Sequence, residues 1–203
     1  MTLANKLTIF RIVVVIPFLI CLITFWYLNK QAAAALSIKS KNIELFFIAF
    51  VLFVVAMLTD LIDGYIARKT KTVTIFGKIL DPIADKIMIN STLIILSVFN
   101  FIPFWITIIF VLRDITVDGV RNFYASRNID ISASIYGKLK TFFQFVALVL
   151  IFLTILFITN IEDYKLQKIW YWLLQIPLLI SLIFSLISGY LYLKPFFKKE
   201  HFK

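Results

Sequence analysis

The stretch Asp60-Leu-Ile-Asp63-Gly64-Tyr-Ile-Ala67-Arg68 is followed shortly by Gly77-Lys-Ile-Leu-Asp81-Pro-Ile-Ala-Asp85. The chain has eleven acidic residues among 203, and four of them fall here. Spacings of three and four residues put each aspartate pair on one face of a helix. Gly64 and Ala67 share the face of Asp60, and Gly77 shares that of Asp81 and Asp85. Small residues at such positions let another helix or a ligand come close to the backbone. The short intervening loop predicts antiparallel neighbouring helices on which all four carboxylates converge. Crowded carboxylates beside a bilayer repel one another and cost on the order of several kcal/mol to desolvate, so a cation has to offset them. Hard divalent ions suit an oxygen-only donor set, and Mg²⁺ typically joins a few carboxylates to substrate phosphates. No His or Cys lies nearby, which argues against zinc. Pairing with Arg68, Lys69, Lys78 or Lys86 could account for any one of these aspartates, but not for four at these spacings with the glycines between them.

Around this stretch the chain is 62% hydrophobic with a mean hydropathy of +0.96. Soluble domains run nearer to half apolar. The hydrophobic runs reach the roughly 18 residues that a helix needs to span a hydrocarbon core of about 30 Å. Six helical spans are expected, over roughly 7–28, 43–67, 80–99, 103–125, 139–159 and 168–192. Asn100 to Pro103 forms a very short turn, and Asn160 to Asp163 separates the last two spans. The first run is longer than a signal-peptide core, so it reads as a span. With no linker, repeat or low-complexity segment, the expected organisation is one all-α polytopic membrane domain over 1–203. Lys30, Lys39, Lys41, Lys165 and Lys168 fall on one side of such a topology, against fifteen other Lys and Arg on the opposite side. The positive-inside rule then predicts both termini in the cytoplasm, with the aspartates at the cytoplasmic face of the cell membrane. The net charge of +10 fits contact with anionic membrane lipids, especially along the tail from Lys194 to Lys203, and not a nucleic-acid partner. Phe25 to Tyr27, Trp105 and Trp170 to Trp172 fall at span ends, as an aromatic belt would. Cys21 reads as packing, and His201 as a solvated residue of the tail.

The order Asp60-x-x-Asp63-Gly64-x-x-Ala67-Arg68, then Gly77-x-x-x-Asp81-x-x-x-Asp85, resembles the full signature of the CDP-alcohol phosphotransferase family. That resemblance implies a six-helix, usually dimeric membrane enzyme, and so a homodimer. It also implies two divalent ions (Mg²⁺ or Mn²⁺) held by Asp60, Asp63, Asp81 and Asp85, with Asp85 doubling as general base. Gly64, Ala67, Arg68 and Gly77 would belong to the CDP-lipid pocket, Arg68 facing the diphosphate. The chemistry is consistent: metals neutralise a diphosphate and its leaving group, and a carboxylate beside them can take the proton of an attacking hydroxyl.

The segment Asn5-Lys-Leu7-Thr8-Ile-Phe-Arg11, the run Arg113-Asp114 to Gly119-Val-Arg121, and Gly137-Lys138-Leu-Lys140-Thr141 with Gln144 are similar to bacterial phosphatidylglycerophosphate synthases. This similarity adds Asn5 and Thr8 to the CDP-lipid site. It implies CDP-diacylglycerol and sn-glycerol 3-phosphate as substrates and CMP as a product. Arg113, Arg121, Lys138 and Lys140 would clamp the acceptor's phosphate, a task suited to forked or clustered cations. Asp114 departs from the glutamate common at its position. Other acceptors of the same family stay open: serine, inositol phosphate and phosphatidylglycerol. Gly137-Lys138 lacks the upstream glycine and following Ser or Thr of a nucleotide-binding loop. A prenyltransferase would split its aspartates between distant helices. A transporter would more often show repeated halves and broken helices.

Overall fold

The computed structural model describes residues 3–29, 42–70, 75–127, 134–157 and 164–197. Among these residues the chain forms six α-helices and no strand: α1 Leu3–Asn29, α2 Ile43–Thr70, α3 Ile75–Val98, α4 Phe104–Ser126, α5 Ile135–Phe157 and α6 Tyr164–Phe197. The six expected ranges coincide with these helices to within a few residues at each end. Stretches of α1, α2, α5 and α6 are long and apolar enough to cross a bilayer. The other two helices each carry four charged residues: Lys78, Asp81, Asp85 and Lys86 in α3, and Arg113, Asp114, Asp118 and Arg121 in α4.

The chain divides into two compact units, Met1–Asn100 with Phe152–Glu162, and Phe101–Ile151 with Asp163–Lys203. In the first unit α1 packs along both α2 and α3, which touch each other less. Its inward seam is Thr8, Arg11, Val15, Phe18, Leu22 and Phe25, all buried, at alternating steps of three and four. The opposite face is apolar too, with Ile16 60% and Ile20 59% exposed. A helix that is hydrophobic all round suits lipid on one side and protein on the other. Without a hydrophobic force between helices in lipid, shape and dispersion must hold them together. Here phenylalanines do much of this. Phe46 packs against Phe25 and Phe152 with centroids 5.0 Å apart in each case, and Phe152 also meets Phe50 at 5.6 Å and Phe53 at 5.5 Å. Phe25, expected in an interfacial belt, is turned into this core at 2% exposure, whereas Trp26, Tyr27, Trp105 and Trp172 are exposed.

The turn after α3 is built by Asn100, whose φ of 63° lies in the left-handed region that Asn tolerates better than most residues. Its amide donates to the carbonyl of Ser97, and Phe99 closes on Ile95.

In the second unit α4 packs on α6. The seam of α6 is small and polar: Ser181, Ser185 and Ser188 are all fully buried, and Tyr192 lies one turn beyond Ser188. Serines let helices approach closely and supply hydrogen bonds where water is excluded. Ser181 donates to the carbonyl of Lys140 at 2.8 Å, and Gln175 donates to that of Phe101 at 2.7 Å.

Phe152→Ala should remove the centre of the phenylalanine cluster. A loss of about 3 kcal/mol, at the low end for a buried Phe→Ala, corresponds to a fall of roughly 6–12 °C in the melting midpoint for a chain of this size. Ile16→Ala, on the outward face, should shift it little. Thermal unfolding of the two variants in detergent checks this.

Candidate active site

Arg11 is the one charged residue on the α1 seam, at a position where the three-four spacing calls for an apolar side chain. It is completely buried, and a buried guanidinium requires partners. It finds them on two other helices. Nη1 lies 2.7 Å from Oδ1 of Asp60 on α2 and donates at 2.6 Å to Oδ1 of Asp85 on α3. Asp60 continues the inward stripe of α2 formed by Phe46, Ala49, Phe53 and Ala56. Asp85 sits beside Ala84 and one turn before Met88 on the inner face of α3. Both carboxylates keep about a third of their side-chain surface exposed, 32% for Asp60 and 34% for Asp85, so the cluster is sealed on the Arg11 side and open on another. Thr8, one turn before Arg11, is 1% exposed.

The expected convergence of aspartates from two helices is therefore present for Asp60 and Asp85. Asp63 follows Asp60 by one turn of α2, and Asp81 precedes Asp85 by one turn of α3. The side chains of Asp63 and Asp81, and of Asn5, Gly64, Ala67, Arg68 and Gly77, lie outside the described residues. The donor set fits a hard divalent ion. Two carboxylate oxygens from different helices face a single point, and the guanidinium nitrogen of Arg11 stands there as a cation already in place.

In the second unit the four expected phosphate-clamping cations separate into two pairs. Arg113 and Lys140 meet at the buried carboxylate of Asp114, with Nη1 of Arg113 at 3.0 Å and Nζ of Lys140 at 2.5 Å from Oδ1. Arg113 also donates through Nε to the carbonyl of Ser185 at 3.0 Å and through Nη2 to Oγ of Ser188 at 2.8 Å. Lys140 lies 5.5 Å from the ring centroid of Phe110. Arg121 and Lys138 are exposed instead. Arg121 stacks over Tyr192 at 5.1 Å and donates to its hydroxyl at 3.3 Å.

These groups are linked through the start of α5. Ser134 caps that helix, its Oγ accepting from the amide of Gly137 at 3.1 Å, the contact typical of an N-cap. The same Oγ lies 2.9 Å from Oγ of Ser188, and the amide of Ser134 donates to the hydroxyl of Tyr192 at 3.0 Å. Gly137 faces Ser188, where a Cβ would stand 3.3 Å from the hydroxyl, tighter than usual. Arg113 and Arg121 are thus held by Ser188 and Tyr192 of α6, residues that hydropathy alone places in a plain span. Arg11 was likewise counted only for orientation and resemblance. Signals for both were in the sequence: a lone arginine within an apolar run, and serines recurring at steps of four and three in another.

The family of CDP-alcohol phosphatidyltransferases matches residues 1–187 of this chain. The CDP-diacylglycerol–glycerol-3-phosphate 3-phosphatidyltransferase of Mycoplasma pneumoniae is 35% identical over 200 residues, covering 97% of this chain and 88% of that protein. Proteins of the same name from Bacillus subtilis and Rickettsia bellii are 31% and 36% identical. These matches cover 94% and 95% of this chain, and 92% and 93% of those proteins. The match spans α1 with its buried arginine, the two aspartate helices, and the cation cluster of α4 to α6. With both the aspartate geometry and the extent of the match in hand, the chain belongs to the CDP-alcohol phosphatidyltransferase family.

Proposed function

We propose that this chain transfers the phosphatidyl group of CDP-diacylglycerol to sn-glycerol 3-phosphate, giving phosphatidylglycerophosphate and CMP for phospholipid synthesis. The convergence of Asp60 and Asp85 from two helices on one cation position carries this reading. The relatives' names, over nearly the whole chain, support the choice of substrates.

In the proposed reaction the acceptor hydroxyl oxygen attacks the phosphorus on the lipid side of the diphosphate. The bond to the bridging oxygen breaks, CMP leaves with that electron pair, and the hydroxyl proton passes to Asp85. Two divalent ions, Mg²⁺ or Mn²⁺, held by Asp60, Asp63, Asp81 and Asp85, would supply charge neutralisation at the diphosphate and the departing CMP. Gly64, Ala67 and Gly77 leave room for the nucleotide, with Asn5 and Thr8 completing the pocket. Arg68 contributes a fork of donors to the diphosphate. Arg121 and Lys138, which are exposed, make the first contact with the acceptor's phosphate. Arg113 and Lys140 complete the proposed clamp, their charges partly offset by Asp114.

The same reading takes the chain as one catalytic domain with six membrane spans. Both termini are cytoplasmic, the site opens to the cytoplasm, the basic tail rests on anionic headgroups, and the working form is a homodimer.

The decisive experiment is CMP release from CDP-diacylglycerol by purified protein, with and without Mg²⁺, across a panel of alcohols. Release that depends on both the metal and sn-glycerol 3-phosphate is expected. Release with a different acceptor would overturn the substrate, and release indifferent to metal would overturn the mechanism. Asp85→Asn should lower kcat by about 10²–10⁴-fold, the usual contribution of a general base, while CDP-diacylglycerol binding stays near wild type. Arg121→Ala and Lys138→Ala should each raise KM for sn-glycerol 3-phosphate by roughly tenfold, the size of one charge-assisted contact of about 1.5 kcal/mol, without moving KM for the CDP-lipid.

A further inference from the structure

We infer that Arg11 is a tethered cation that competes with the divalent metal for Asp60 and Asp85, holding the pair together in the metal-free protein and yielding it when metal binds. The inference rests on the metal-holding role proposed above for these aspartates, and extends it to a residue outside the carboxylate set.

The geometry is specific. One nitrogen, Nη1, serves both carboxylates, at 2.7 Å and 2.6 Å, through an Oδ1 of each. It does so from α1, the helix that packs along both α2 and α3. A guanidinium tied to one carboxylate would be an ordinary ion pair. One placed between two, on separate helices, occupies the point where an ion held by both would sit. Mg²⁺ binds oxygen at about 2.0–2.1 Å, so an ion between the same two oxygens would draw each inward by roughly 0.6 Å. The nitrogen and the ion cannot share that space.

The burial pattern explains why the protein would keep such a competitor. Asp60 and Asp85 would repel each other in the absence of any cation, and their helices would separate at this level. Arg11 is fully buried while the carboxylates are a third exposed, so the resident cation approaches from inside and leaves the outer side open. The site is therefore assembled before metal arrives. The cost is an apparent metal affinity reduced by the fraction of molecules in which Arg11 holds the pair. Arg11 is thus a positioning residue, acting on the carboxylates and not on substrate.

The test uses detergent-solubilised full-length chain purified in Mg²⁺ and then stripped, with Mn²⁺ as the probe. Mn²⁺ binding is followed by electron paramagnetic resonance of the free ion, and thermal unfolding is measured in EDTA and in Mg²⁺. Arg11→Gln should bind Mn²⁺ more tightly, by about tenfold, within the usual range of coupling between linked sites. Its melting midpoint should fall in EDTA and recover most of the loss in Mg²⁺. Arg11→Lys, which keeps a charge on a shorter reach and guards against loss of folding, should move affinity in the same direction by less. Unchanged or weaker Mn²⁺ binding in both variants, with an equal loss of stability in EDTA and Mg²⁺, would reduce Arg11 to a helix tie and overturn the inference. In that case Mn²⁺ binding by the wild type, lost in Asp60→Asn, would leave the metal-holding role standing. A wild-type chain that binds no Mn²⁺ would overturn both.

Discussion

A buried positive charge needs a negative one close by, and in this protein that requirement joins three helices. Arg11 interrupts an otherwise apolar seam, and Asp60 and Asp85 answer it from α2 and α3. Removing one partner of such a buried pair leaves an uncompensated charge, which is far more costly than a lost surface ion pair. The phenylalanine cluster around Phe46 and Phe152 packs the apolar part of the first unit. Dispersion of that kind does not specify a register as a charge does. The polar contact fixes which turns of α2 and α3 lie level with each other, and those turns carry the aspartates of the family signature.

The second unit solves the same problem with different chemistry. There Asp114 gathers Arg113 and Lys140, and the remaining donors of Arg113 go to one hydroxyl and one carbonyl of α6. Buried networks of this type are stable when their members are satisfied. The arrangement keeps two cations ordered inside while Arg121 and Lys138 stay exposed. Four positive charges that look alike in a sequence thereby acquire two different physical states, one held at a carboxylate and one available to solutes.

Much of the fold was legible in the sequence because apolar runs of spanning length leave little alternative to a helix. The helices α3 and α5, like α1 and α6, begin a few residues before the expected ranges. Their first turns carry Lys78 and Lys138, which look like loop, and α5 opens on a serine cap at Ser134 whose contact is visible only in three dimensions. The aspartate pairs were legible because helical periodicity alone places each pair on one face. What was not legible was tertiary: that Arg11 would face two carboxylates far along the chain, that Phe25 would turn inward, and that Ser188 and Tyr192 would hold two arginines. The belt reading of Phe25 failed because a residue at a span end can still lie on the packed side of its helix.

The Asp114–Lys140 contact, at 2.5 Å between two nearly inaccessible side chains, ties the two positions to each other. The reach of each side chain is matched to that of the other. A longer carboxylate at this position would have to be met by a retreat of the ammonium or a shift of Arg113, which shares the same oxygen. A substitution at either position is therefore felt at the other, since neither side chain reaches water. Changes made at both positions together are then not the sum of the two single changes, as holds for residues in direct contact.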